Sequence, residues 1–211
     1  MLRDAELFVM SDQVLVEVLG RIRPEDRAIP VPAPYDTPAL AEPVPMWRLV
    51  EQYAADSAAV PAMLAKDPVD TIPADTIPAD TIPADSADLL GSDPQAALTR
   101  LAVAADAAAA EAADGECVLP TRYGELPTWD YLRRCTIARA LLAHYVAAYL
   151  GSTACPLTEE LARPLWELTE PDAARWRDLG MFADPMPLPD HVSWRDRFLL
   201  CAGHLPHPVG H

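Results

Sequence analysis

Along much of this chain, apolar residues recur at three- and four-residue steps, the spacing of a single helix face. Over 4–22, Leu7, Met10, Val14, Val18 and Ile22 keep that step and predict a first helix, which Pro24 helps to stop. The many prolines between 28 and 45 predict a loop. A second helix is expected from near Trp47, with Trp47, Val50, Tyr53, Ala54 and Ser57 on one side; Pro61 is expected to kink or end it. A third covers about 94–113: Asp93 or Ser92 can cap it, Pro94 suits its first position and Gly115 follows its end. Its alanines permit close helix packing. After a short strand expected around 117–119, the longest helix starts near Pro127 and ends at Gly151. A fifth helical region, 158–179, is expected to be interrupted by Pro164 and Pro171 and closed by Gly180. The last helix runs from about Ser193 to Ala202, and Ser193 with Asp196 resembles a capping box.

Mostly helical periodicity with short connections predicts an all-α, up-down four-helix bundle with additional C-terminal helices and a long Pro-rich loop. The 211 residues suit a single domain, 1–211, with 152–211 as the C-terminal helical extension. The Pro-rich loop is 67–93, which holds three tandem copies of TIPAD at 71–75, 76–80 and 81–85. A proline every five residues forbids an α-helix and removes donors from a strand, so an extended or turn-rich loop is expected. A repeat expansion tolerated in a surface loop accounts for it, because lengthening a loop adds little closure entropy. A lid or a partner-binding arm is the functional alternative.

Half the residues are hydrophobic, enough for a substantial core. The formal net charge of −16 argues against a nucleic-acid partner, which needs a basic footprint, and against an anionic membrane surface. Asp4, Glu6, Asp12 and Glu17 interrupt the apolar start, which therefore does not read as a secretory signal. No run has the length of a membrane span. Cys117, Cys135, Cys155 and Cys201 lack CxxC spacing, so free thiols in a reducing cytoplasm are expected.

The longest helix reads YLRRCTIARALLAHYVAAYLG from Tyr131, and its entry is GELPTWDYL. Together with WRDLGMFADP and WRDRFLLCAGHLP further on, it resembles an actinobacterial branch of the DinB-like superfamily, the mycothiol-dependent maleylpyruvate isomerase family. That resemblance covers nearly the whole chain. It implies a helical bundle around a divalent metal, held by a His on the second helix and by an acid and a His four apart on the later one. Aligning LVEQYAADSAAVPAMLA at 49–65 puts Gln52 at the first position; counting back from Gly151 puts Ala138 and Leu142 at the others. Ala and Leu cannot ligate a metal, and a transition-metal site needs about three protein ligands. No metal and no cofactor are therefore expected at this site. His144 lies two residues past Leu142, about 200° around the helix, and points away from it. It is expected to be a surface or helix-packing residue.

The remaining lining would be Gln52, Asp56, Cys135, Ala138, Leu142, Tyr145 and Tyr149. Asp56 or Tyr145 could act as acid or base and Cys135 as nucleophile; each also has an ordinary structural role open to it. Arg134 and Arg139 could bind a carboxylate, with helix-surface charge as the default. Cys201, His204, His207 and His211 have chelating spacings, but Gly203, Pro206 and Pro208 leave their geometry unfixed. The expected function is a metal-independent descendant of the family that binds, isomerises or cyclises a small-molecule ligand as a monomer or homodimer. Two alternatives stand beside it. One is an inactive structural or interaction protein; the other is a metal-dependent mycothiol transferase or isomerase with non-standard ligands.

Overall fold

The computed structural model describes residues 4–32, 43–64, 89–112, 118–121, 124–152, 154–178 and 182–205. The TIPAD repeats lie outside the described residues. Four long helices carry the fold: α1 (Asp4–Leu19), α2 (Met46–Leu64), α3 (Pro94–Ala112) and α4 (Thr128–Tyr149). Two short ladders join them. In the first, β1 (Pro30–Val31) pairs antiparallel with β2 (Val44–Pro45); in the second, β3 (Val118–Thr121) pairs antiparallel with β4 (Gly124–Pro127). The C-terminal part holds α5 (Glu159–Thr169), a 3₁₀ turn (Glu170–Asp172), α6 (Ala173–Asp178) and α7 (Trp194–Cys201). The fold is thus mostly helical, and no helix of the described residues is long and apolar enough to cross a membrane.

Local chemistry accounts for the helix ends. Asp93 Oδ1 accepts the Ala96 N–H at 3.1 Å at the start of α3, Thr158 Oγ1 accepts the Leu161 N–H at 3.2 Å at α5, and Ser193 Oγ accepts the Asp196 N–H at 3.0 Å at α7. Pro127, with extended backbone, precedes α4. At the other end of α4, Gly151 takes φ +79°, and the Gly151 and Ser152 N–H groups return to Ala148 O and Ala147 O at 3.0 and 2.9 Å. That pair of bonds is a Schellman closure.

Several boundaries differ from the sequence reading. The first helix stops at Leu19, three residues before Ile22, although Ile22 is still buried. Pro61 does not end α2, because Val60, Met63 and Leu64 bury with Phe8, Ala105 and Ala109 and hold its last turn in place. Pro164 likewise sits inside α5, half-exposed, while Leu161 and Leu165 on the same helix are buried. The Pro-rich stretch at 28–45 contains the β1–β2 ladder, tied to α2 by the Met46 N–H bond to Ile29 O at 2.8 Å.

α1 packs on α4 and on α3, and α2 packs on α3; α5 packs on α7. The α2 and α4 backbones stay further apart, so long side chains must span the seam between them. Burial falls into three regions. One joins the Leu15–Ile22 side of α1 to α2, α3 and the end of α4; a second joins α4 to α5, α6 and α7; a third lies around Phe8, Leu119 and Leu132.

Candidate functional site

The interior between the long helices is polar at its centre. Asp12 on α1, Tyr53 and Ser57 on α2, and Arg139 on α4 are all buried. Arg139 Nε donates to Asp12 Oδ1 at 2.5 Å and its Nη2 donates to Ser57 Oγ at 3.2 Å. The Tyr53 hydroxyl donates to Asp12 at 3.0–3.1 Å. The guanidinium lies 4.5 Å from the centroid of the Phe8 ring and 5.7 Å from that of Tyr53. Tyr53 and Ser57 are one turn apart on α2, which puts both on the face that meets Arg139. The Asp12 carboxylate holds Arg139 in its charged form, and burial with Asp12 beside it keeps Tyr53 a neutral donor.

Asp106 on α3 faces this pair. Desolvation and the Asp12 charge push its carboxyl up to about 7, against the opposing pull of Arg139. Its Oδ1 is buried and has no hydrogen-bond partner. All four long helices therefore contribute to one polar centre, the position at which helical bundles build ligand and cofactor sites.

Beside it, at the α2–α4 seam, Gln52 and Asp56 lie one turn apart on α2. Gln52 Nε2 donates to Asp56 Oδ1 at 2.8 Å. Asp56 reaches solvent, yet desolvation by surrounding protein is the leading influence on its carboxyl and raises its pKa; Gln52 and Arg139 act the other way. Tyr131 and Cys135, half-buried on α4, sit within electrostatic reach of Asp56. The Tyr131 hydroxyl donates to the Cys135 sulfur, and burial raises the pKa of both groups. Cys135 is therefore a weak nucleophile, since the thiolate is the reactive form.

Of the lining expected from sequence, Gln52 and Asp56 are hydrogen-bonded, and Cys135 lies within electrostatic reach of Asp56. Ala138 is half-buried on α4, and Leu142 packs into the first buried region. Tyr145 and Tyr149 lie elsewhere: their rings stack at 4.8 Å, and the Tyr145 hydroxyl donates to Pro32 O. Ten residues of helix, about 15 Å, separate Tyr145 from Cys135. Burial raises the Tyr145 pKa as well.

The default reading of Arg139 as surface charge is corrected, because the Asp12 carboxylate and the facing rings draw it inside. Arg134 sits 5.9 Å from the Trp176 ring centroid. His144 is buried, with Nε2 2.8 Å from Leu205 O, which places it in helix packing. Cys201 is buried and its carbonyl accepts from Arg177 at 3.0 Å; His207 and His211 lie outside the described residues. Among the described residues, no group of three His, Cys, Asp or Glu is placed to hold a metal ion. Cys135, Cys155 and Cys201 are free thiols, and Cys117 lies outside the described residues.

Asp12 and Asp106 were missed from sequence, but a signal existed. Asp12 interrupts the apolar stripe Phe8, Leu15, Leu19, and Asp106 adjoins the buried alanines Ala102, Ala105 and Ala109. A separate half-open cleft of about 300 Å³ lies at the far ends of α1 and α4, lined by Val18, Arg21, Arg23, Asp26, Leu150 and Ser152 among others. Its arginines are engaged with Glu17 and Glu25 at the surface, and it contains none of the interior network. No protein-family model, curated protein or solved structure matches the chain.

Proposed function

We propose that this chain is a metal-independent, DinB-like descendant of the thiol-dependent isomerase family that binds a small organic molecule at the α2–α4 seam beside Asp56. The observation that carries the reading is Asp56: a carboxyl reached by solvent, pushed toward its neutral form by burial, and flanked by Gln52, Tyr131 and Cys135. A solvent-reached carboxyl whose surroundings favour its proton is a candidate for ligand binding or proton transfer.

The family's divalent metal does not fit here. Ala138 and Leu142 offer only alkyl groups, and the amide nitrogen of Gln52 is directed at Asp56. The role left for this site is recognition through hydrogen bonds, with Asp56 as the candidate acid or base for an isomerisation or cyclisation. The raised pKa of Cys135 favours a lining role for that thiol over nucleophilic attack.

A fragment screen by ligand-observed NMR tests the reading. Small polar fragments are expected to bind wild-type protein and to lose binding in Asp56→Ala, with the thermal midpoint of the variant unchanged. A screen with no fragment whose binding depends on Asp56 would overturn it and leave the inactive, structural reading.

A further inference from the structure

We propose that the half-open cleft at the far ends of α1 and α4 binds a small organic carboxylate, with Arg21 and Arg23 on its charge and Val18, Ala147 and Leu150 against its apolar body. All five residues line that one cavity of about 300 Å³, a volume at the lower end of the range for small-ligand sites. The cleft shares no residue with the α2–α4 seam, so this second site stands apart from the reading at Asp56.

Local structure places the two arginines on one wall. Between them Ile22 turns inward and is buried, which leaves its neighbours on the outward side. The turn that follows is braced from both directions: Asp26 Oδ2 accepts the Arg23 N–H and the Asp26 N–H donates to Arg23 O, each at 3.0 Å. Asp26 is the lining acid, and that bond turns one of its oxygens toward its own loop. Val18 and Ala147 are buried and form an apolar floor, and half-buried Leu150 lies beside them.

Charge then selects the ligand. Two arginines against one aspartate make the lining net positive, on a chain whose net charge is −16. The carbonyl ends of α1 and α4 would oppose an anion if they were open, but they are closed. The N–H groups of Gly20, Arg21 and Ile22 return to Val16, Val18 and Leu19, and those of Leu150, Gly151 and Ser152 return to Val146, Ala148 and Ala147. The present partners of the arginines are outside the cleft and exposed: Glu17 on Arg21 within one helical turn, and Glu25 on Arg23 at 3.8 Å. Exposed pairs of this kind contribute little, so a ligand carboxylate that meets the planar guanidinium fork can replace them. A dianion such as phosphate is disfavoured by Asp26 and by the overall charge, and it would leave the apolar floor uncovered.

NMR titration of the intact chain with benzoate, benzamide, benzylammonium and inorganic phosphate tests the site, read at the Arg21 and Arg23 Nε–H signals. Benzoate is expected to bind most tightly and to shift both signals. Its affinity should fall about three- to tenfold in Arg21→Gln and in Arg23→Gln, exposed positions at which the thermal midpoint should not move. Glu17→Gln releases Arg21 from its present partner and should raise the affinity about two- to threefold. Asp56→Ala should leave it unchanged. Benzamide binding as tightly as benzoate, or tighter binding of phosphate or benzylammonium, would overturn the carboxylate assignment. Benzoate affinity indifferent to both arginines, no saturable binding at all, or binding lost only in Asp56→Ala would overturn the site.

Discussion

Arg139 on α4 and Asp12 on α1, 127 residues apart in sequence, form an ion pair inside the bundle with 5% and 0% of their side chains exposed. Burying two charges is costly, and the pair is supported by further hydrogen bonds from Tyr53 to Asp12 and from Arg139 to Ser57 and by the Phe8 ring against the guanidinium. The pair also fixes how α1 and α4 sit against each other, since a shift of either helix by one residue would separate the charges. Removing one partner strands the other. Asp12→Leu or Arg139→Met alone is expected to destabilise the fold by about 3–5 kcal/mol. The double variant is expected to lose less than the sum of the two. Urea unfolding of all four species in a double-mutant cycle checks this, and additive losses would show the pair to be uncoupled.

Asp106 adds a pH dependence to the same centre. Its folded-state pKa, up to about 7, lies above the ordinary carboxylate value of 3.8. The folded state therefore binds the extra proton, and stability is full below the ordinary value and declines as pH rises toward about 7. Desolvation leads the shift; of the charged groups facing it, Asp12 from α1 adds to it and Arg139 from α4 opposes it. Asp106→Asn mimics the protonated form and cannot ionise. It should flatten stability between pH 4 and pH 7 and add on the order of 1–2 kcal/mol at pH 8. Urea midpoints across that range are the measurement, and an unchanged slope would count against the assignment.

Cys135 should behave as a protected thiol. Burial raises its pKa even though Arg139 and Tyr131 favour its thiolate. Alkylation by iodoacetamide at pH 8 is expected to run roughly tenfold or more slower than for an exposed cysteine, with the rate still climbing with pH beyond that point. Peptide mapping by mass spectrometry would resolve it from Cys155 and Cys201. Labelling as fast as a free thiol would restore the nucleophile reading.

The boundaries of α3 and α4 were legible in sequence because local chemistry decides them: Asp93 and Pro94 at one start, Pro127 at the other, Gly151 at the stop. The β1–β2 ladder was not, because pairing of Val31 with Val44 is a non-local event inside a proline-rich stretch. Of the expected lining, Gln52 and Asp56 share a hydrogen bond, as two residues one turn apart on a helix can, and Cys135 lies within the electrostatic reach of Asp56. Tyr145 and Tyr149 were drawn into it by sharing α4 with Cys135, and distance along the helix axis separates them. Arg139 shows where a default misled. Leu132, Arg139 and Val146 recur every seven residues and all three are buried, so the periodicity already placed the arginine inside.

His204 carries a second, opposite pH dependence. Burial, with His144 opposite it, lowers its pKa from 6.5 to about 4. A histidine kept neutral in the fold contributes stability that is full above 6.5 and is lost as pH falls toward about 4. The loss over that window should be about 1–3 kcal/mol, and His204→Leu should reduce it. The imidazole resonances of His204, followed by NMR, should titrate near pH 4; a midpoint near 6.5 would refute the shift.

Two glycines close helices in the same way and should respond differently to the same substitution. Gly151 ends α4 at φ +79° and Gly203 ends α7 at φ +80°, each the left-handed residue of a Schellman closure. Adding a methyl group at either position forces an L residue into that conformation, at about 1–2 kcal/mol. At Gly151 nothing lies within 4 Å of the added Cβ, so that strain is the whole effect. At Gly203 the Cβ would come within 2.7 Å of Ala183 Cβ and 2.9 Å of Asp184 O. The second contact is backbone, so the 183–184 segment would have to move away from α7. That segment is held there by the Met186 N–H bond to Leu200 O at 3.0 Å, which resists the movement. Gly203→Ala is therefore expected to lose about 1–3 kcal/mol more than Gly151→Ala. Parallel urea denaturation of the two variants measures the difference, and equal losses would mean that the 183–184 segment yields without cost.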